Sequence, residues 1–376
     1  MVNIPFLSSK RITSFPRPGR LKAHFSSRAR SLDIDREIIN YLLSQYEIEL
    51  AGQSKNLPNA RRNTNLVIDS VHGKKILKNY RPDWKASKIE FEHSILEQLR
   101  KTNFPAPRLV PLKNGNTWLS VEGLNYCLFD FIQGKNYSSS YLFRPHRVRM
   151  MATSGRMLAS LHKQLIGFQP TGQHHLGFKS LEKDRIRNIP WISEKIIELV
   201  RDSRQISEEE DKRAAEWLIR HSDELFDNLV LLDEKLTAAN LTPIIIHGDY
   251  GLHNLIYTDV DHAVPVDYEL SRIEWRMSDL VSVLGKFRYK GGRYDFESIT
   301  QFLHAYQKEY AITPQEWDLF PDIWKYYKLR KAVQYWISYF ETSGPVRKLR
   351  SSRKEIERSD WAMENPARLS DFRRVQ

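Results

Sequence analysis

The hydrophobic pattern of the first third of the chain changes between helical and strand periodicity. Apolar residues at helical intervals over 38–43 predict a helix, and a second set over 89–99 predicts a longer amphipathic helix. Between them, two short apolar runs flank a His-Gly pair at 72–73, which is typical of a β-hairpin. More strand patterns follow up to residue 131. We therefore expect a small β-rich lobe over residues 36–134.

The pattern after residue 135 is mainly helical. The helical segments share apolar residues at intervals of three and four, and they span 151–162, 189–201, 208–239 and 323–340. Two short apolar runs, at 243–246 and 263–266, interrupt them, and an acid follows each run closely. We expect two short buried strands there, within a larger and mostly helical lobe over residues 135–342. The predicted fold class is therefore α+β with two lobes.

The charge of the chain is concentrated at its two ends. Its 376 residues include 58 Lys and Arg against 46 Asp and Glu, a formal net charge of +12. The first 30 residues hold seven basic residues and no acid, and residues 343–376 hold nine basic residues against five acids. The intervening body is nearly neutral, which argues against a specific nucleic-acid partner.

The two basic ends have separate interpretations. We expect a flexible arm over residues 1–35, with an organelle transit peptide as the less favoured alternative. The C-terminal tail, residues 343–376, alternates charge signs and is expected to form a solvated helix that docks loosely.

Composition excludes several further classes. Apolar residues make up 41% and charged residues 28%, which is typical of a globular chain and not of a disordered one. Cys127 is the only cysteine, so neither an intrachain disulfide nor a cysteine zinc cluster can form. The apolar runs fall far short of the roughly 18 to 20 residues that cross a bilayer. We expect a cytoplasmic protein without a membrane span.

The strongest chemical signal is one loop rich in polar residues. His247-Gly248-Asp249 precedes Asn254, and Asp267 follows the next strand run. In phosphoryl transfer an acid orients the attacking hydroxyl, while an amide and a second acid hold Mg²⁺ against the nucleotide phosphates. Because Asp249 and Asn254 are close in sequence, a tight loop can direct both into one cleft. The pattern therefore predicts Asp249 as the catalytic acid, with Asn254 and Asp267 as metal ligands.

This arrangement resembles the protein-kinase-like fold, and most closely the aminoglycoside phosphotransferase and choline kinase group, which has His-Gly-Asp where protein kinases have His-Arg-Asp. The similarity covers roughly residues 38–340. The supporting segments occur in the family's order, and they are the hairpin ending 74–78, the helix containing Glu92, the Pro105-x-Pro107 exit, 129–134 and 158–162. The resemblance implies a kinase that uses ATP and Mg²⁺.

The resemblance also implies which residues bind the nucleotide. Lys78 resembles the lysine that contacts the α and β phosphates, and Glu92 resembles the helix carboxylate that orients it. Lys75 and Glu90 compete less well for these two roles. The hinge, whose main-chain groups bind adenine, is expected at Asp130, Phe131 and Ile132. Asn63 ends the segment 58–63, which takes the place of the glycine-rich loop and lacks its glycines.

Around the catalytic loop, the resemblance adds supporting residues. Glu269 is a candidate third metal ligand, with a solvated acid outside the direct ligand set as the alternative. His247 is expected to brace the loop. His253 either touches the substrate or braces the loop, and Asp279 resembles the family's structural acid near the start of the next helix.

The leading hypothesis is a kinase that phosphorylates a hydroxyl of a small molecule. The acceptors considered are a sugar, an amino sugar, an amino alcohol, homoserine and an aminoglycoside. A protein kinase-like enzyme is disfavoured because Asp267-Tyr268-Glu269 stands where protein kinases have D-F-G. A pseudokinase scaffold is disfavoured because the set of site residues is complete, and a nucleic-acid-binding module is the last alternative.

The acceptor is less well determined by the sequence. The neutral body slightly favours a neutral or anionic acceptor over a polycation. The acceptor walls are expected within 163–240 and 286–340. The nearest polar candidates are Arg272, Glu274, Trp275 and Arg276, just past the metal motif.

Overall fold

A computed structural model describes residues 36–52, 54–56, 64–82, 84–137, 146–172, 189–288, 293–341 and 347–374. The predicted basic arm over 1–35 and Asn63 lie outside these ranges. The strands are β1 (Lys55–Asn56), β2 (Thr64–Ser70), β3 (Gly73–Asn79), β4 (Trp118–Val121), β5 (Leu124–Asp130), β6 (Ile244–Ile246), β7 (Leu255–Tyr257), β8 (Ala263–Pro265) and β9 (Arg272–Glu274).

The helices that precede the catalytic loop are α1 (Arg36–Gln45), α2 (Ala86–Lys101), α3 (Arg147–Gln164), α4 (Ile189–Ser203), α5 (Glu209–Arg220) and α6 (Ser222–Ala238). Those that follow it are α7 (Arg276–Leu284), α8 (Phe296–Glu309), α9 (Pro314–Asp318), α10 (Phe320–Glu341), α11 (Arg347–Glu357), α12 (Trp361–Glu364) and α13 (Pro366–Arg373).

The N-terminal lobe is an antiparallel sheet with strand order β1-β2-β3-β5-β4. The predicted hairpin is confirmed, since β2 and β3 pair and Ser70 lies opposite Gly73. Successive residues of a strand face opposite sides of the sheet. On β3, Leu77 packs into the cluster that includes α1, whereas Lys78 reaches a residue of α2. The alternation therefore places one β3 side chain in the core and the next one towards the cleft.

The C-terminal lobe is built on helices, and the predicted α+β two-lobed fold is confirmed. Helices α3 and α8 cross so closely that a Cβ atom added at Gly155 would overlap the carbonyl oxygen of Phe302. Two short antiparallel pairs, β6 with β9 and β7 with β8, carry the polar loop. The helix predicted over 208–239 is divided at His221, whose φ of −105° and ψ of 7° leave the helical region.

The C-terminal tail is not the loosely docked helix that its charge pattern suggested. Helices α11 to α13 place Leu349, Ala362 and Phe372 in the same core cluster as the rest of the lobe. Phe372 also accepts a hydrogen bond at its carbonyl from Gln307 Nε2, at 3.0 Å. Burial of these few apolar residues outweighs the solvation of the many charged ones, so the described part of the tail belongs to the lobe.

Within the described ranges, no helix combines the length and the apolarity that a bilayer crossing requires. The cytoplasmic location stays a prediction.

Candidate active site

An ion pair between the sheet and α2 stands on the N-terminal side of the cleft. Lys78 Nζ lies 3.0 Å from Glu92 Oε1 and 3.9 Å from Glu269 Oε2, and all three residues are buried. Burial alone would lower the pKa of Lys78, but Glu92, Glu269 and Asp267 together raise it above its ordinary value. The lysine is therefore a fixed cation held between the two lobes. Glu90 is exposed and Lys75 pairs with Asp130, so neither competes for this position.

A buried polar network, which the sequence did not reveal, holds the Lys78–Glu92 pair from behind. Tyr80 OH donates to Glu92 Oε2 at 3.0 Å, and His93 Nε2 lies 3.0 Å from the same hydroxyl. The Lys78 ammonium lies 4.5 Å from the centre of the Tyr80 ring. Burial lowers the pKa of His93 to about 3, and the charge of Lys78 acts in the same direction, so this imidazole is neutral. The network holds the Glu92 carboxylate in place, and Glu92 in turn holds Lys78.

The loop that follows β6 is anchored to a buried acid of α7. Asp279 accepts hydrogen bonds from the backbone amides of His247, at 2.8 Å, and Gly248, at 2.9 Å. His247 is fully buried and its Nε2 donates to the carbonyl of Val266 at 3.1 Å. Gly248 has a φ of +81°, and an added Cβ would collide with the carbonyl of Leu270. These contacts give His247 and Asp279 the bracing positions that were expected.

The expected catalytic acid, Asp249, lies at the exit of this anchored loop, and its side chain is 35% exposed. Lys286 Nζ donates to Asp249 Oδ1 at 3.0 Å, and His253 Nε2 lies 3.2 Å from Oδ2. Burial would raise the pKa of Asp249, but Lys286 and His253 hold it well below its ordinary range. Lys286 was not predicted, because its distance from Asp249 along the chain leaves no local sequence signal.

The three expected metal ligands lie on adjoining turns. Asn254 Nδ2 donates to the Asp249 carbonyl at 3.1 Å, which leaves Asn254 Oδ1 available, and the amide of Val266 donates to the Asn254 carbonyl at 2.9 Å. Asp267 follows directly, in the left-handed region at a φ of +69°. Burial, reinforced by the charge of Glu269, raises the pKa of Asp267.

A cation would relieve the repulsion between the Asp267 and Glu269 carboxylates, and their oxygen donors suit Mg²⁺. Within the described residues, no group of three or more His, Cys, Asp and Glu side chains already converges as a complete metal cage. The donors present fit a Mg²⁺ ion that takes its remaining ligands from nucleotide phosphates and water.

The expected hinge leaves the sheet at the end of β5. The amide of Asp130 donates to the carbonyl of Arg108 at 2.9 Å, and that of Phe131 donates to the carbonyl of Lys74 at 3.2 Å. Their N–H groups are therefore engaged within the lobe. Ile132 comes next and is half-buried. Its role in binding adenine stays a prediction.

The linker after the hinge is bound to the catalytic loop. Lys135 and Tyr257 exchange backbone hydrogen bonds of 2.9 Å in each direction. Asn136 Nδ2 lies within hydrogen-bonding distance of the carbonyls of Leu252, His253 and Leu255, at 2.8, 2.9 and 3.0 Å. The linker and the loop thus form one hydrogen-bonded unit.

The polar residues just past the metal motif do not face an acceptor. Arg272, Glu274, Trp275 and Arg276 are all buried. Arg276 Nε donates to Glu316 Oε1 at 2.6 Å, and Glu274 lies within 4 Å of two arginines, Arg272 and Arg330. Arg272, Glu274 and Arg276 are engaged in internal ion pairs and Trp275 lies in the core of the lobe, so the expectation that these residues contact the acceptor is wrong.

Comparison with known proteins gives a consistent result. Residues 55–320 match the family described as phosphotransferase enzyme family. A homoserine kinase of Caulobacter vibrioides (strain NA1000 / CB15N) is 20% identical over 291 residues, which cover 77% of this chain and 83% of that protein.

Two solved structures have the same fold at low sequence identity. One is a spectinomycin phosphotransferase in complex with ADP and spectinomycin, at a TM-score of 0.62 and 13% identity, covering 88% of this chain and 99% of that one. The other is a microcompartment-associated aminopropanol kinase, at a TM-score of 0.59 and 15% identity, covering 91% and 100%.

Proposed function

Because the chain belongs to the phosphotransferase enzyme family, we propose that it transfers the γ-phosphoryl group of ATP to a hydroxyl of a small molecule. The observation that carries this proposal is the convergence of charge between the lobes. Lys78 is paired with Glu92, and the charges of Lys78, Glu92, Glu269 and Asp249 all act on Asp267. A lysine of the nucleotide lobe and the acids of the catalytic loop therefore share one electrostatic site.

The residues divide the reaction between them. Lys78, held by Glu92, binds phosphate oxygens of ATP, and Ile132 offers its backbone to the adenine. Asp249 accepts a hydrogen bond from the acceptor hydroxyl and orients its oxygen towards the γ-phosphorus. The new P–O bond forms as the bond to the β-phosphate oxygen breaks. ADP leaves, and the hydroxyl proton passes to the Asp249 carboxylate.

Magnesium would be held by Asn254 and Asp267, with Glu269 as a further donor. When bound, the ion neutralises charge on the phosphate oxygens. Glu269 also lies 3.9 Å from Lys78, so it can link the metal site to the phosphate-binding lysine.

A screen of candidate acceptors tests the proposal. Homoserine, amino alcohols and aminoglycosides are the first compounds to try, since the similar proteins are named for kinases of such molecules. The measurement is ADP release from ATP that depends on both Mg²⁺ and the added acceptor. If no compound in a broad library of alcohols stimulates ADP release by the wild type, the proposal is contradicted.

A pair of variants tests the role of Asp249. Asp249→Asn should lower kcat by about 100-fold or more, with the KM for ATP changed only a few-fold, because the carboxylate acts on the acceptor. Asp259→Asn, an exposed change in the β7–β8 turn, is the control and should leave both constants near those of the wild type. Full activity of Asp249→Asn would contradict the assignment.

The other classes receive less support. A scaffold without catalysis would not need the buried Lys78–Glu92 pair together with an accessible Asp249. A protein kinase-like activity on a peptide hydroxyl is tested by adding Ser- and Thr-containing peptides to the same screen.

A further inference from the structure

Asp249 is paired with a lysine that the reaction described above does not use. Lys286 Nζ donates to Asp249 Oδ1 and to the Tyr250 carbonyl, both at 3.0 Å. Its side chain is 28% exposed, so both partners of the ion pair are accessible to solvent. A cation in this position lies within a few ångströms of the hydroxyl that Asp249 would orient.

Helix α10 brings a second lysine to the same region. Tyr327 OH donates to Ser282 Oγ at 2.7 Å, and Ser282 lies one helical turn before Lys286. One turn after Tyr327 on α10 comes Lys331, which is half-buried. Its ammonium lies 5.6 Å from the ring centre of Tyr327 and 5.9 Å from that of Tyr335. The hydrogen bond between Tyr327 and Ser282 therefore joins α10 to α7 at a point one helical turn before each of the two lysines.

Lys331 differs from its basic neighbours on α10 in its ionic partners. Lys328 pairs with Glu355 at 2.9 Å, and Arg330 lies 3.7 Å from Glu274. For Lys331, no carboxylate of the described residues lies within ion-pairing distance. Burial opposes its charged form, but nearby phenols and carboxylates, Asp249 among them, raise its pKa. The Lys331 ammonium therefore stays charged although no carboxylate of the described residues pairs with it, which leaves it able to pair with an external anion.

We propose that Lys286 and Lys331 bind an anionic group of the acceptor, a carboxylate or a phosphate, beside the hydroxyl that Asp249 orients. This inference rests on the proposed phosphotransferase function and specifies its substrate class. A bound anion would compete with Asp249 for Lys286. The same two cations would repel a polycationic acceptor.

Matched pairs of acceptors, which differ only in the anionic group, test the inference. L-homoserine is compared with L-homoserinamide for a carboxylate, and glycerol 3-phosphate with glycerol for a phosphate. In the wild type, at least one anionic compound should exceed its neutral partner by 10-fold or more in kcat/KM for ADP release. The pair that shows the preference identifies the anion as carboxylate or phosphate.

Lysine variants then locate the preference. Lys331→Met should reduce the ratio of kcat/KM between the anionic acceptor and its neutral partner to near 1. It should do so by raising the KM for the anionic acceptor, with kcat for the neutral partner little changed. Lys331→Arg should restore most of the preference, which a merely structural role for the lysine would not explain. Lys308→Met, an exposed change on α8, is the control and should keep the wild-type ratio.

Each contrary outcome has a distinct meaning. A wild type that uses both neutral compounds as well as the anionic ones contradicts the inference but leaves phosphotransfer intact. A preference that survives in both Lys331→Met and Lys286→Met also contradicts it. If Lys286→Met lowers kcat equally for charged and neutral acceptors, Lys286 acts on the transferred phosphoryl group and its assignment here is overturned. ADP release that no acceptor stimulates would contradict the proposed function itself.

Discussion

The substitution Asp279→Asn removes one charge and almost no volume from the anchor of the catalytic loop. Asp279 is 1% exposed, and its Oδ1 accepts from the Gly248 amide while its Oδ2 accepts from the His247 amide. His162 Nε2 lies 3.3 Å from the same Oδ2. An asparagine has only one acceptor oxygen, so in either orientation one loop N–H faces an NH₂ group. We therefore expect both a loss of stability and a displaced loop.

The size of the expected loss of stability in Asp279→Asn follows from these hydrogen bonds. A buried N–H without a partner costs about 1–3 kcal/mol, and weakening the remaining charge-assisted bond adds about 1 kcal/mol. Burial opposes the charged form of Asp279, but the hydrogen bond and charge of His162, with His247 and Arg272, still lower its pKa, so the fold favours the carboxylate. We expect the free energy of unfolding to fall by about 2–4 kcal/mol.

Urea unfolding at equilibrium measures this change as a shift in midpoint at constant slope. Asp261→Asn removes a carboxylate that pairs with Arg149 on the surface, and as the control it should shift the free energy of unfolding by less than about 1 kcal/mol. The kcat of Asp279→Asn should also fall, because the loop carries Asp249. If Asp279→Asn matches the wild type in both midpoint and kcat, the proposed anchoring is wrong.

Three further predictions follow from buried contacts. Burial lowers the pKa of His93, so the unfolded chain binds the His93 proton more tightly than the folded one. Below pH 6.5 the free energy of unfolding of the wild type should therefore fall by up to about 1.4 kcal/mol per pH unit relative to that of His93→Gln. Parallel plots of unfolding free energy against pH for the two proteins would contradict this. Gly155→Ala normally favours a helix by about 1 kcal/mol, but here the overlap with the Phe302 carbonyl should lower Tm, and a raised Tm would refute the close crossing. Phe372→Ala should lower the free energy of unfolding, measured in urea, by about 3–5 kcal/mol, because Phe372 is buried. Met363→Ala, at an exposed position, should lower it by less than about 1 kcal/mol. Small and equal losses in both variants would mean that the tail is only loosely docked.

The parts of the site that were predictable depend on short motifs that occur in the family's order. The family resemblance implied the Lys78–Glu92 pair, and strand alternation, which puts Lys75 and Lys78 on opposite faces, supported the choice of Lys78. The bracing position of Asp279 followed from the family order of motifs.

The parts that were not predictable depend on contacts between distant segments. Lys286 meets Asp249 only because α7 returns to the catalytic loop. Arg276 was misassigned because its partner, Glu316, lies on another helix, and an arginine near a site has no sequence mark of being internally paired. The tail was misjudged because its buried residues, such as Leu349, are few among many charges.

The bond between the linker and the catalytic loop determines where the two lobes can move. From Lys135 onward the chain is tied to β7, and an added Cβ at Gly134 would overlap the side chain of Ile256. A rigid-body rotation of the small lobe must therefore pivot ahead of Gly134, within the stretch that begins at Phe131. The pivot coincides with the segment that is expected to bind adenine, so a base bound there would fix the angle between the two lobes.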